Sequence, residues 1–206
     1  MNRLRTLAVA LSLLAFALVP IYAWATGDVY ALTLFGRILV FVLAATGLNL
    51  ALGYGGMVSF GHALYIGLGA YSVAILTLMG LHSGWLHLIT AVAVSGLVAI
   101  PVGWVALRTQ GIAFIMITLA FAQLFFYIFI SLKNFGGDDG VSLSQVSNFG
   151  PLTGNIYALY LSLLVTALIV LGVVMRLVRS PFGLVLRATK VSERRVNAVG
   201  LNSLPY

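Results

Sequence analysis

The chain has no cysteine, and charged residues make up only 7 % of its 206 positions. The first absence excludes disulfides, thiolate metal sites and thiol chemistry. The second excludes a surface that water could solvate, because a soluble domain carries about 25 % charged residues. Acidic side chains are scarcest, 4 against 11 basic ones. The phosphate-cradling pattern G-x-x-x-x-G-K-[ST] is also missing. Any use of ATP through a loop of that kind therefore belongs to another chain.

What is present is apolar. Hydrophobic residues make up 62 %, and the mean hydropathy is +1.11. Uncharged runs of roughly 20 residues are each long enough to cross a hydrocarbon core of about 30 Å. The fold class expected is an all-α integral membrane protein with about six transmembrane helices, rather than a β-barrel. The expected crossings are 6–25, 38–52, 63–81, 87–107, 112–132 and 156–175. Ala23-Trp24-Ala25 resembles a signal cleavage site. The run before it exceeds the usual signal core of about 7–15 residues, which favours a retained first helix, kinked at Pro20. Arg37 interrupts the second run, and an arginine at mid-membrane costs roughly 2.5 kcal/mol or more. The second crossing is therefore expected to begin near Arg37, with its side chain snorkelling to the surface.

Ala63, Gly67, Ala70 and Ala74 form a stripe of small residues on the third run. Such stripes let helix backbones approach closely in lipid, so this helix is expected to be buried in the bundle. The run 112–132 is crowded with aromatics from Phe121 to Phe129, a lipid-facing or packing surface. The connection 133–155, with Gly136-Gly137-Asp138-Asp139-Gly140, Pro151 and Gly154, consists of turn formers and reads as a loop outside the hydrocarbon.

Charge placement orients the chain. With six crossings, Arg3, Arg5, Arg108, Arg176, Arg179, Arg187, Lys190, Arg194 and Arg195 fall on one side, and Arg37 and Lys133 on the other. Basic residues collect in the cytoplasm, so both termini are expected inside and the loop 133–155 outside. The net charge of +7 thus reads as membrane topology, with no nucleic-acid partner. In the segment 176–206, Ser180 and Pro181 make a helix start. Leu184, Ala188 and Val191 share one face and Arg187, Lys190 and Arg194 another, which predicts an amphipathic helix. Ser192 is placed to cap a second helix, 193–199, closed by Gly200. Such a segment either lies on anionic lipid or docks a cytoplasmic partner.

The most unusual stretch is 47–71, which sets Gly47, Gly53, Gly55, Gly56, Gly61, Gly67 and Gly69 into apolar sequence. Helix-breaking backbone is tolerated at membrane depth only where protein or a water-filled cavity satisfies it. The stretch is therefore a surface loop or a broken, re-entrant element. The charge count, the short crossing before it and the small-residue helix after it favour entry into the bundle from the cytoplasmic side.

Three segments resemble one family. Gly47-Leu-Asn-Leu, Gly53-Tyr-Gly-Gly-Met-Val-Ser59-Phe-Gly61-His62-Ala63 and Gly67-x-Gly69-Ala70-Tyr71 resemble the characteristic motif of the permease subunits of branched-chain amino acid ABC transporters. Arg108-Thr-Gln-Gly111 with Ile117 to Ala122 resembles a second motif. Ser180-Pro-Phe182-Gly183 through Arg187-Ala188 to Ala198-x-Gly200 resembles the cytoplasmic loop that contacts the ATPase subunit. The Gly136–Gly140 loop matches more weakly. The chain departs from the pattern where Glu193 is followed by Arg194-Arg195-Val196-Asn197.

The resemblance implies a single permease domain, 1–206, in the inner or plasma membrane, with no cofactor and no catalytic residues. It implies three protein partners: cytoplasmic ATPase subunits, a second permease subunit and an external substrate-binding protein. It places ATPase coupling on Ser180, Phe182, Gly183, Arg187, Ala188, Glu193 and Gly200. Family members continue with further helices, so the chain reads as incomplete at its C-terminus.

A branched-chain amino acid is a zwitterion with an apolar side chain, and freed N–H groups at a broken helix can hold its carboxylate. Gly53, Gly55, Gly56, Ser59, Gly61, His62, Gly67 and Tyr71 are the candidate pathway residues. The competing use of the same glycines is tight helix crossing. His62 is read as satisfying freed backbone rather than carrying protons. Asp138 and Asp139 are read as a solvated loop pair, since no His or Glu lies near them to complete a metal set. Urea or a short amide is the alternative substrate, and an uncoupled scaffold or channel subunit the alternative role. An intramembrane enzyme is disfavoured, because His62 has no carboxylate partner in the apolar runs.

Overall fold

The structure, a computed structural model, describes residues 2–143, 145–198 and 200. Seven α-helices carry the described chain, with no β-strand among them: α1 Asn2–Thr26, α2 Val29–Asn49, α3 His62–Leu78, α4 Gly84–Ala106, α5 Ile112–Ser131, α6 Ile156–Arg179 and α7 Pro181–Ala198. This is the all-α membrane architecture that the composition demands. Four helices are long and apolar enough to cross a membrane by length and composition: Val29–Tyr54, Gly84–Ala106, Ile112–Ser131 and Ile156–Arg179. Leu11–Thr26 and His62–Leu78 are shorter apolar helices.

The chain divides into two compact units. The first joins Met1–Gly47 to Gly150–Leu177, and so holds α1, most of α2 and most of α6. Its core packs Val19, Ala23, Leu32, Leu39, Tyr160 and Leu164, with Phe16 and Phe35 in edge-to-face contact beside them. Pro20 lies inside α1 without ending it. Proline has no N–H, so the carbonyl four residues earlier, Phe16, loses its helical donor. The hydroxyl of Tyr160, only 2 % exposed, donates to that same Phe16 carbonyl at 2.9 Å. One helix thus repairs the backbone gap that proline leaves in another.

The turn at Thr26–Asp28 reverses the chain into α2. The Asp28 carboxylate accepts the N–H groups of Tyr30 at 3.0 Å and Ala31 at 3.4 Å, an N-cap that fixes the start of α2. Helix therefore runs unbroken from Val29, and Arg37 sits exposed within it. The sequence places the start of this crossing at Arg37. The helix itself starts earlier, at the Asp28 cap, because nothing at position 37 breaks the backbone. With its continuation to Tyr54 the helix has 26 residues, about 39 Å at 1.5 Å per residue. That exceeds the core thickness by about 9 Å.

The second unit joins Leu48–Phe149 to Val178–Tyr206. Leu64 and Leu68 of α3 meet Val102 of α4, with Phe121, Phe125 and Phe129 of α5 packed against them. These three phenylalanines are spaced at one helix face, so the aromatic run splits: they pack, while Phe126 and Tyr127 are exposed. The small-residue stripe behaves differently from expectation. Leu64 and Leu68 form the buried face of α3, Ala63 and Ala70 are exposed, and only Ala74 of the stripe is buried. A Cβ on Gly67 would meet nothing within 4 Å. The larger leucines occupy the contact because α4 and α5 offer aromatic and branched side chains to fill the space between helices.

At one end of this unit the long connection folds onto the start of α4. Ser83 and Asn148 form an isolated parallel bridge: Gly84 N–H donates to the Asn148 carbonyl and Asn148 N–H to the His82 carbonyl, both at 2.7 Å. The Phe149 ring lies so close over Gly84 that a Cβ there would stand 2.6 Å from it. His87 is buried, with Nε2 2.7 Å from the Leu81 carbonyl and Nδ1 2.8 Å from the Ser147 hydroxyl. A carbonyl only accepts, so Nε2 carries the proton and the Ser147 O–H donates to Nδ1. The connection is a pinned clasp rather than a free loop, and α4 starts at Gly84, three residues before the run expected at 87–107.

Candidate functional site

The glycine segment lies at the other end of the second unit. The helix of α2 does not stop at Asn49. It widens into a π-turn, Leu50–Tyr54, a form that is rare and recurs at functional sites. Gly55 N–H donates to Leu50, Gly56 N–H to Leu52 and Met57 N–H to Ala51, at 3.1, 3.2 and 3.1 Å. Glycine is required here for space. The backbone demands it at Gly55, where a Cβ would stand 2.7 Å from the Ala51 carbonyl, whereas a Cβ at Gly53 would only displace the Asn49 side-chain amide. Gly56 has φ +71°, a conformation that side chains disfavour.

Beyond the π-turn the segment is tied to α5. Phe60 N–H donates to Thr118 Oγ1 at 3.2 Å, and the Thr118 hydroxyl donates to the Ile115 carbonyl at 2.9 Å. Thr118 is buried, and Gly61 lies against it. Gly61 N–H donates to Ser59 Oγ at 3.1 Å, which turns the chain into α3 at His62. The His62 ring meets Tyr65 edge-on at 6.4 Å. Its Nδ1 is buried without a hydrogen-bond partner, so the structure gives this nitrogen no freed backbone to satisfy. Tyr71, further along α3, stacks on Phe129 with ring centres 4.1 Å apart.

A cavity of about 480 Å³ opens at this end. Four segments form it: Gly55–Val58, the α4–α5 connection with Thr109, Gln110 and Gly111, the start of α5 with Ile112, Phe114 and Ile115, and the face of α7 carrying Leu186 and Thr189. Its volume falls in the range of small-ligand pockets, about 300–1,000 Å³. The lining is mostly apolar with a few polar groups, the pattern that suits an amphipathic molecule. Of the pathway residues expected from the sequence, Gly55 and Gly56 reach the cavity. Gly53, Ser59, Gly61, His62, Gly67 and Tyr71 are not among its walls.

The helix α7 begins at Pro181, with Leu184 N–H donating to the Ser180 carbonyl at 3.1 Å. Gly183 is buried so tightly that a Cβ would overlap the Val178 carbonyl. The chain therefore turns sharply from the end of α6. Arg187 folds back on this corner, its Nε donating to the Gly183 carbonyl at 3.1 Å and its guanidinium to Val178 at 3.4 Å. Val185 and Leu186 are buried, while Leu184, Ala188 and Val191 are exposed. The apolar face read from the sequence thus points outward. At Ser192 the backbone leaves helical geometry, φ −166° and ψ 104°, where the sequence places a cap. Gly200 has φ +87°. The side chain of Glu193, and residue Val199, lie outside the described residues.

The sequence reading missed two contacts. Lys190 Nζ donates to the Gly53 carbonyl at 2.8 Å, across 137 positions of sequence. Thr118 holds Phe60 across 58. Neither has a spacing signal, because each joins segments far apart in the chain.

Residues 30–206 match the model of a family described as branched-chain amino acid transport system, permease component. The chain is similar to the high-affinity branched-chain amino acid transport system permease protein LivM of Escherichia coli (strain K12). The two are 26 % identical over 223 aligned positions, covering 94 % of this chain and 50 % of that protein. The chain thus spans about half the length of the curated relative it matches. No solved structure matches significantly.

Proposed function

The chain belongs to the family of branched-chain amino acid transport permease components, and from that premise we propose that it is a membrane subunit of an ATP-driven importer of branched-chain amino acids. In this reading both termini are cytoplasmic and six helices cross the inner or plasma membrane. The glycine-segment end of the second unit then faces the cytoplasm, and the clasp at 147–149 faces outward, toward a substrate-binding protein. The ATP is hydrolysed by separate ATPase subunits, which dock on α7, and a second permease subunit completes the path.

The observation that supports this most is the shared cavity. Gly55–Val58, directly after the π-turn, line one part of it, and Leu186 and Thr189 of α7 line another. The segment suited to lining a path and the segment suited to docking an energy source touch the same space. The outward Leu184, Ala188 and Val191 give α7 an apolar face for a partner, and the Gly183 corner holds that face rigidly. The lining of apolar side chains with Thr109, Gln110 and Thr189 suits a branched side chain on a polar head.

Uptake of radiolabelled leucine and of urea, in cells carrying the whole transporter, tests the reading. Leucine uptake that disappears when residues 180–200 are deleted, with ATPase subunits co-purifying only with the intact chain, is the expected result. Urea uptake without leucine uptake would overturn the substrate. Unchanged uptake after the deletion would overturn the coupling role and leave an uncoupled channel.

A further inference from the structure

Lys190 makes a side-chain hydrogen bond from α7 to the glycine segment, and its geometry is specific. In an α-helix the N–H of Met57 would serve the Gly53 carbonyl. The π-turn redirects Met57 to Ala51, and Lys190 Nζ takes the place at Gly53, 2.8 Å away. The lysine stem lies over Gly56, where a Cβ would stand 2.7 Å from Lys190 Cγ. So the head binds one glycine of the segment and the stem packs on another. Thr189, the preceding residue, lines the cavity beside Gly55 and Gly56. Two residues after Lys190 the helix breaks at Ser192, so 181–191 is a rod that ends at this contact. Gly183 and Arg187 fix its other end.

We propose that Lys190 is the positioning residue that passes movement of α7 to the π-turn, and thereby sets the shape of the cavity during the transport cycle. This rests on the importer reading above. A rod held at Gly183 and attached at Gly53 pulls on the π-turn when a docked ATPase shifts it. A π-turn accommodates such a pull because its hydrogen bonds have an alternative, the ordinary i to i−4 ladder. The ammonium group supplies the attachment, since a hydrogen bond from a charged donor is stronger than a neutral one.

The test compares Lys190→Met, which keeps the stem and loses the donor, with Lys190→Arg, which keeps a charged donor. Both are measured in the assembled transporter, reconstituted in vesicles, for ATP hydrolysis, leucine uptake and the amount of ATPase bound. In Lys190→Met, leucine taken up per ATP hydrolysed falls about tenfold, the size of a typical coupling between two sites. Hydrolysis and ATPase binding stay within about twofold of wild type, well inside the change expected from losing a coupling. Lys190→Arg recovers most of the ratio. An unchanged ratio in Lys190→Met, with the wild type active, overturns the inference and leaves the importer reading standing. An arginine variant as uncoupled as the methionine one also overturns it. A wild-type assembly that binds no ATPase and takes up no leucine refutes the importer reading, and the inference falls with it.

Discussion

The bond from Tyr160 to the Phe16 carbonyl makes a quantitative prediction about the first unit. Tyr160→Phe removes the hydroxyl and keeps the ring in the core. Pro20 has no N–H to offer, so the Phe16 carbonyl then loses the hydroxyl that serves it in apolar surroundings. Orphaning a buried acceptor costs about 1–3 kcal/mol in soluble proteins. Interhelical side-chain bonds in membranes average about 0.6 and reach about 1.7 kcal/mol. We therefore expect Tyr160→Phe to destabilise by about 1 kcal/mol, between those bounds. Pro20→Ala restores a backbone N–H aimed at the same carbonyl. In that background Tyr160→Phe should cost about 0.3 kcal/mol or less, so the double-mutant cycle shows a coupling of roughly 0.7 kcal/mol. Equilibrium unfolding in mixed micelles, followed by helical circular dichroism, measures all four variants. Equal costs in the two backgrounds would refute the idea that the tyrosine replaces the missing proline donor.

Two further variants probe the second unit. Gly84→Ala puts a methyl 2.6 Å from the Phe149 ring. The overpacking costs about 1–3 kcal/mol and should release the clasp, seen as faster proteolysis within 141–149; an unchanged digestion rate would show that the ring moves aside freely. Thr118→Val removes the acceptor of the Phe60 N–H while keeping the shape of the side chain. The orphaned donor costs about 1–3 kcal/mol, and hydrogen exchange at Phe60 should speed up accordingly. Protection equal to wild type would mean that the glycine segment is held by other contacts.

Much of the architecture was legible because single residues carry strong local signals. Ser180 and Pro181 mark the start of α7, Ser192 marks its break, and the glycines mark the end of the regular helix after Asn49. The second helix shows where local signals compete. Arg37 marks a membrane boundary by its cost in lipid, while the Asp28 cap decides where the helix starts, because capping fixes backbone and a long side chain can snorkel. The stripe Ala63–Ala74 marked a helix face that permits close packing, but Leu64 and Leu68 took the contact with α4 and α5. The π-turn was not legible at all. It is a choice of hydrogen-bond partner by Gly55 and Met57, which pass over their i−4 carbonyls, and no residue type encodes that choice. Lys190 and Thr118 were hidden for a different reason: each closes a contact between distant segments, and only the assembled unit brings them to Gly53 and Phe60.

The claim at the centre is that the cavity between the glycine segment and α7 belongs to the transport path. The chain is free of cysteine, so Val58→Cys places one thiol on the wall of that cavity, and Asp139→Cys places a control thiol at an exposed position of the Gly136–Gly140 loop. The rate of maleimide labelling in the assembled transporter should fall when leucine is added at Val58→Cys and stay constant at Asp139→Cys. Labelling at Val58→Cys that leucine leaves unchanged, in a transporter that still takes leucine up, would place the path elsewhere.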